Sequence, residues 1–262
     1  MTRTHALKNC ALAALASALF APGVCAAPSN IAGWHGQVTP YVWAAGLGGE
    51  IRPFMGAATI AVDKSFGELL SDLDAAFFVS GLLRKDRFVL VADLSTSASS
   101  RDGLLPSPPA PAPLPATGRL RQTSLTLAGG YRVAASEAVT ADLLAGVRIW
   151  DIRASADVPA VGAIGFPGTD ASASRGFVDP IVAARINAGI APRLSALLYT
   201  DIGGFGAGSS HTLQLMGTLN WQAARQVTVS AGYRHLEVDY RKRGSLVDMA
   251  MSGPLLGVTF GF

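Results

Sequence analysis

The chain of 262 residues holds only two cysteines, Cys10 and Cys25. Both lie in the first 25 residues, so no disulfide framework, thiol nucleophile or thiolate metal site can be built from the rest. Long hydrophobic runs are also missing. Mean hydropathy is positive at +0.35, yet beyond the N-terminus no stretch of about 18 apolar residues appears, which excludes a helical membrane span. Charge is scarce, at 15% of residues, against 50% hydrophobic ones. No Cys, His or carboxylate cluster has the spacing of a metal site, so neither a metal nor another cofactor is expected.

The N-terminus reads as a cleaved secretory signal, residues 1–26. Arg3 and Lys8 give a positive start, Ala11 to Phe20 an apolar segment, and Pro22-Gly23 a break before Val24-Cys25-Ala26. Cleavage is expected after Ala26, and Val24 is too bulky for the residue preceding a lipidated Cys25. The 21 basic residues less Arg3 and Lys8 leave 19 against 18 acidic ones. The pI of about 9.1 is therefore no sign of a nucleic-acid partner.

What remains is alternation. Leu213, Leu215, Gly217, Leu219 and Trp221 interleave with Thr212, Gln214, Met216, Thr218 and Asn220; similar runs begin at Phe88, Val139, Val178, Leu194 and Val227. Segments of about ten alternating residues joined by alternately short and long connections are the signature of a transmembrane β-barrel. Such a barrel satisfies every backbone group within lipid. Tight turns near Lys85-Asp86, Ala135-Ser136, Ala191-Pro192 and Ala224-Arg225 mark four hairpins. With a first strand at 38–47 and a last at 249–262, an all-β, antiparallel up-and-down barrel of about ten strands follows, with eight or twelve as alternatives. It occupies residues 27–262, with short turns in the periplasm and long connections outside. Ser65 and Glu68 have capping-box spacing, so a short helix is expected near 66–73. The proline-rich stretch 103–118 reads as an extended external loop.

Leu256, Val258, Phe260 and Phe262 form one apolar side of the final strand. They are expected to face lipid beside the first strand and to serve as a C-terminal assembly signal. Four stretches, "FVDPIVAAR", "DIGGFGAGS", "GYRHLEVDY" and "GPLLGVTFGF", together with "TPYVWAAGL" and "SFGELLSDLD", resemble a family of poorly characterised bacterial outer-membrane β-barrels, small barrels of the OmpA and OmpW kind. The resemblance covers most of the chain after the signal. It implies a Gram-negative outer-membrane location and brings no established activity.

The alternation puts eight charges on the inward face or its periplasmic rim: Arg84, Asp93, Asp142, Arg148, Asp179, Arg185, Asp201 and Arg234. One reading is a salt-bridge network filling a small barrel; another is a porin-like path whose charge rings select a small solute. The glycine-rich "DIGGFGAGSS" has no following lysine or helix pattern, so a tight external loop is expected in place of a phosphate cradle. A different class, an outer-membrane hydrolase, acyltransferase or protease, would need a nucleophile and base at the outer rim. Ser209-Ser210-His211 with Glu237 or Asp239 is the one assembly the sequence offers for it. The expected function is a narrow channel or a structural or ligand-contacting surface barrel, non-enzymatic and monomeric. Its partners would be outer-membrane lipids and, during biogenesis, the barrel-assembly machinery and periplasmic chaperones.

Overall fold

The computed structural model describes residues 33–52, 60–64, 67, 73–105, 114–160, 168–242 and 245–262. The signal segment 1–26 lies outside them. Of the helix expected near 66–73, only Gly67 and Leu73 are described, and Leu73 already opens a strand.

Twelve strands are present among the described residues: β1 (Trp34–Trp43), β2 (Gly46–Arg52), β3 (Ile60–Lys64), β4 (Leu73–Lys85), β5 (Phe88–Leu105), β6 (Leu114–Ala135), β7 (Val139–Val158), β8 (Thr169–Ala191), β9 (Leu194–Gly203), β10 (His211–Ala224), β11 (Val227–Lys242) and β12 (Ser245–Gly261). Ten of them, β1 and β4 to β12, run antiparallel and close on themselves through the β1–β12 seam, where Val38 opposes Phe260. This is the ten-stranded barrel that the alternation predicts.

Two details depart from the expected layout. β1 and β2 behave as one bent strand, interrupted at Ala44-Ala45, that follows β12 along its length. Its far half pairs on the other side with β3 instead of β4. β2 and β3 thus add an antiparallel pair beyond the ten barrel strands. Second, the proline-rich stretch 103–118 is not simply a loop: the β5–β6 ladder continues to Leu105 opposite Leu114. A strand tolerates proline where the partner asks nothing of its nitrogen. Residues 106–113 lie outside the described set.

The tight turns all lie at one end. Asp86 takes a left-handed conformation (φ 52°) in the β4–β5 turn, where Asp is among the residues that accept it. From this end the outward face is apolar on strand after strand: Leu143 and Ile149 on β7, Val178, Val182 and Ile186 on β8, Leu215 and Leu219 on β10 are all exposed. Further along, the outward positions become polar, as at Asp151 and Arg153 on β7 and at Glu237 and Asp239 on β11. Aromatic Trp221, Tyr131, Tyr233 and Phe260 are exposed on the apolar face, and the amphipathic rings of Trp and Tyr favour an interface.

Candidate functional site: the layered lumen

The inward side chains form three layers. In the half nearest the long connections lies an apolar plug of Trp43, Leu47, Trp150, Ile152, Phe177, Leu236, Val238, Met249 and neighbouring residues, all buried. Phe177 stacks on Trp150 at 5.9 Å and on Tyr240 at 4.7 Å between ring centroids. Offset aromatic pairs of this kind add to the area they bury.

Beneath the plug a charged network crosses the barrel. Arg148 on β7 holds Asp201 on β9 through two hydrogen bonds of 3.0 and 2.7 Å, and both side chains are fully buried. Its guanidinium also donates to Thr126 Oγ1 at 2.9 Å and to Gln214 Oε1 at 3.1 Å. Arg234 on β11 donates to the same Gln214 oxygen at 2.8 Å, to Tyr41 Oη at 2.6 Å and to Asp93 at 3.2 Å. Tyr41 in turn donates to Asp93 at 2.9 Å. Gln214 is the bridge that joins two ion pairs into one net, because one amide oxygen accepts from both arginines. Arg234 also sits 4.6 Å over the Trp43 ring, coupling the net to the plug. Planar guanidinium forks suit this role, since each presents five donors in fixed directions.

The third layer, towards the tight turns, is a cavity of about 270 Å³ lined by polar residues such as Thr39, Ser80, Asn187 and Thr259 together with Leu82, Val91, Leu197 and Met216. Below it at the rim, Asp142 accepts from Arg132 at 2.7 Å and from Arg185 at 3.1 Å.

The eight charges singled out in the sequence therefore separate. Asp93, Arg148, Asp201 and Arg234 meet in the central net, and Asp142 and Arg185 meet at the rim. Arg84 does not join them: its guanidinium donates to the Asp86 carbonyl at the β4–β5 turn. Asp179 has a different task. Fully buried, it accepts from the Trp150 indole at 3.1 Å and from the Ser209 backbone amide at 2.6 Å. It thereby pins the glycine-rich loop after β9 to the barrel wall. Gly204, Phe205 and Gly206 there all have positive φ, and a Cβ on Gly208 would overlap the Asp179 carboxylate. The loop is tight because its backbone packs directly on an acid. Lys242 seals it from outside by donating to the carbonyls of Gly206 and Ala207.

The neutral partners Tyr41, Thr126, Gln214 and Trp150, and the rim Arg132, were not singled out from sequence. The inward parity of each strand marks them, but nothing local tells a net member from a lumen filler. The Ser209-Ser210-His211 assembly does not form. Ser209 is buried against Asp179, His211 is exposed on the outer face opposite Asp239, and no hydrogen bond links His211 to Ser209, Glu237 or Asp239. Near these residues Arg241 bonds Asp239 at 2.8 Å and Asp248 at 3.4 Å, and these acids raise its pKa above the usual arginine value. No group of three or more metal-ligating side chains exists among the described residues.

No family model and no curated protein sequence matches the chain. Solved structures do. The outer-membrane protease OmpT of Escherichia coli superposes with a TM-score of 0.50 at 9% identity, covering 87% of this chain and 97% of that one. The translocator domain of the autotransporter NalP of Neisseria meningitidis gives 0.49 at 11% identity, covering 98% and 95%. Ail of Yersinia pestis gives 0.36 at 14% identity, covering 88% and 100%. The fold is that of the outer-membrane β-barrels. At this identity the likeness extends to the fold alone, and the finer resemblance to the OmpA and OmpW kind rests on the sequence motifs.

Proposed function

We propose that the chain is an integral outer-membrane β-barrel with a sealed lumen, a structural and surface-contacting protein in place of an open channel. The observation that carries this is the stacking of the apolar plug on the central net. An ion path needs charges that are wetted and free to exchange partners, whereas Arg148 and Asp201 are fully buried and bound to each other. The outward apolar band supports a membrane location, since a soluble barrel would not expose so continuous a greasy surface. The cavity is bordered by Tyr41, Asp93, Thr126 and Gln214 of the net, which suits an enclosed cup better than passage. A sealed lumen would leave the barrel without catalytic work inside it.

The test is single-channel recording of the refolded chain in a planar bilayer, after a heat-modifiable gel shift has confirmed the barrel. Silence is the expected result. Reproducible current steps altered by Arg148→Ala or Arg234→Ala would overturn the sealed reading in favour of a narrow, charge-lined channel.

A further inference from the structure

The outward face carries a polar arrangement that the lumen does not explain. On β11 and β12, His235 lies directly opposite Ser252, and the Ser252 hydroxyl is 2.6 Å from His235 Nδ1. The other ring nitrogen, Nε2, lies 3.8 Å from the Glu237 carboxylate two residues along the same face. With the proton on Nε2 and turned to Glu237, the Nδ1 lone pair faces the serine hydroxyl. The base is then in hydrogen-bond reach of a nucleophile, with an acid facing its other nitrogen at a distance beyond a direct hydrogen bond.

The position of this group matters as much as its distances. His235 is the ninth residue of β11 counted from the tight turn. A rise near 3.3 Å per residue and a tilt near 40° place it about 20 Å up the barrel wall, close to the far edge of an apolar band about 25 Å tall. Its outward neighbours on the near side are apolar, Leu215 across on β10, Tyr233 before it and Pro254 beside Ser252. Beyond it the face turns acidic and basic with Asp239, Arg241 and Asp248. Opposite Ser252 and Ala250 stand Gly46 and Gly48 of β2, and a Cβ on Gly48 would meet nothing. A bare strip thus runs beside the serine, bordered by lipid-facing side chains and within reach of interfacial water.

We propose that Ser252, His235 and Glu237 form an outward-facing esterase site acting on the ester-linked acyl chains of outer-leaflet lipids. Ser252 Oγ attacks the ester carbonyl carbon while its proton passes to His235 Nδ1. The bond from that carbon to the lipid alcohol then breaks, and the alcohol leaves with the proton from Nδ1. Water attacks the acyl-serine, its proton passes through Nδ1 back to Ser252 Oγ, and the fatty acid departs. Ser252 and His235 are the catalytic residues, and Glu237 is a positioning residue whose nearby charge favours the proton on Nε2. The site lies outside the barrel wall and does not depend on whether the lumen conducts.

The test uses the refolded full-length barrel in two vesicle compositions: phosphatidylethanolamine with phosphatidylglycerol, and the same mixture with lipopolysaccharide. Free fatty acid is measured, and a fluorophosphonate probe is mapped on the intact protein by mass spectrometry. Labelling at Ser252 is expected, together with acid release from at least one vesicle type. Release from the first mixture identifies a glycerophospholipid ester, and release only from the second identifies an acylated saccharide. His235→Ala should slow release by at least about 100-fold, the low end for loss of a general base, and Glu237→Gln should lower kcat about tenfold with KM unchanged. His211→Ala should have no effect. Absence of acid release from both vesicle types by a heat-modifiable barrel overturns the proposal, whether or not Ser252 is labelled. So does release that survives in a folded Ser252→Ala barrel.

Discussion

Asp201→Ala tests the central net most directly. The change removes a carboxylate that accepts two hydrogen bonds from Arg148 and leaves that guanidinium fully buried, hydrogen-bonded to Thr126 and Gln214 and facing the Trp150 ring. Breaking a buried pair by deleting one member costs about 3–5 kcal/mol, because the other charge stays desolvated. The two remaining acceptors put Arg148 near the low end, so a loss of about 3 kcal/mol is expected, a shift of about 150-fold in the unfolding equilibrium. With a urea slope of about 3 kcal/mol per M, suited to a chain of this size, the midpoint should fall by about 1 M. The assay is urea unfolding of the barrel in micelles, followed by its heat-modifiable mobility. Two companions make the result interpretable. Arg153→Ala splits an ion pair with Asp151 that is 63% and 46% exposed, and should change stability by less than about 0.5 kcal/mol. Arg148→Met with Asp201→Leu removes both charges and should return to within about 1 kcal/mol of the parent. If Asp201→Ala is as mild as Arg153→Ala, or the double variant is no better than the single one, the net does not hold the lumen together as argued.

Two further outcomes follow from close backbone approaches. Gly232 faces inward, where a Cβ would overlap the Gly217 carbonyl oxygen, while a Cβ on outward Gly217 would meet nothing. Gly232→Ala should therefore destabilise by about 1–3 kcal/mol, and Gly217→Ala should leave the urea midpoint unchanged. Asp179→Ala removes the acceptor that ties the Ser209 amide to the wall; hydrogen exchange at 204–210 should speed up about tenfold or more, with the rest of β8 and β9 unaffected.

Much of this architecture was legible in the sequence because a membrane barrel enforces period two on both faces at once. The outward Val178, Val182 and Ile186 and the inward Asp179 and Arg185 could be assigned by parity alone, and the tight turns set the strand count. The pairing of charges was not legible. Arg148 lies directly opposite Asp179 in the β7–β8 ladder, yet its fork reaches one strand further to Asp201, and long side chains in a narrow lumen make such choices by packing. Ser209, Ser210 and His211 do not come together because adjacency in the chain says little about adjacency across a sheet. His235 and Ser252 were harder to see from 17 residues apart. Once Lys242 is known to oppose Ser245, each step back along β11 matches a step forward along β12, and the two residues meet. That register depended on where the β11–β12 turn falls, which the basic stretch Arg241 to Arg243 concealed.

The closing seam has a kinetic consequence. Nine of the twelve ladders join strands consecutive in the chain, so their hairpins can zip early. The β1–β12 ladder joins Val38 to Phe260, and contacts of such separation wait until the intervening sheet exists. Until then β1 and β12 are two unpaired edges of one curved sheet, each a template for another strand. The backbone edge of β12, beside its lipid-facing Leu256 and Phe260, is thus open to another strand for the whole of that interval and is covered only when the first strand arrives.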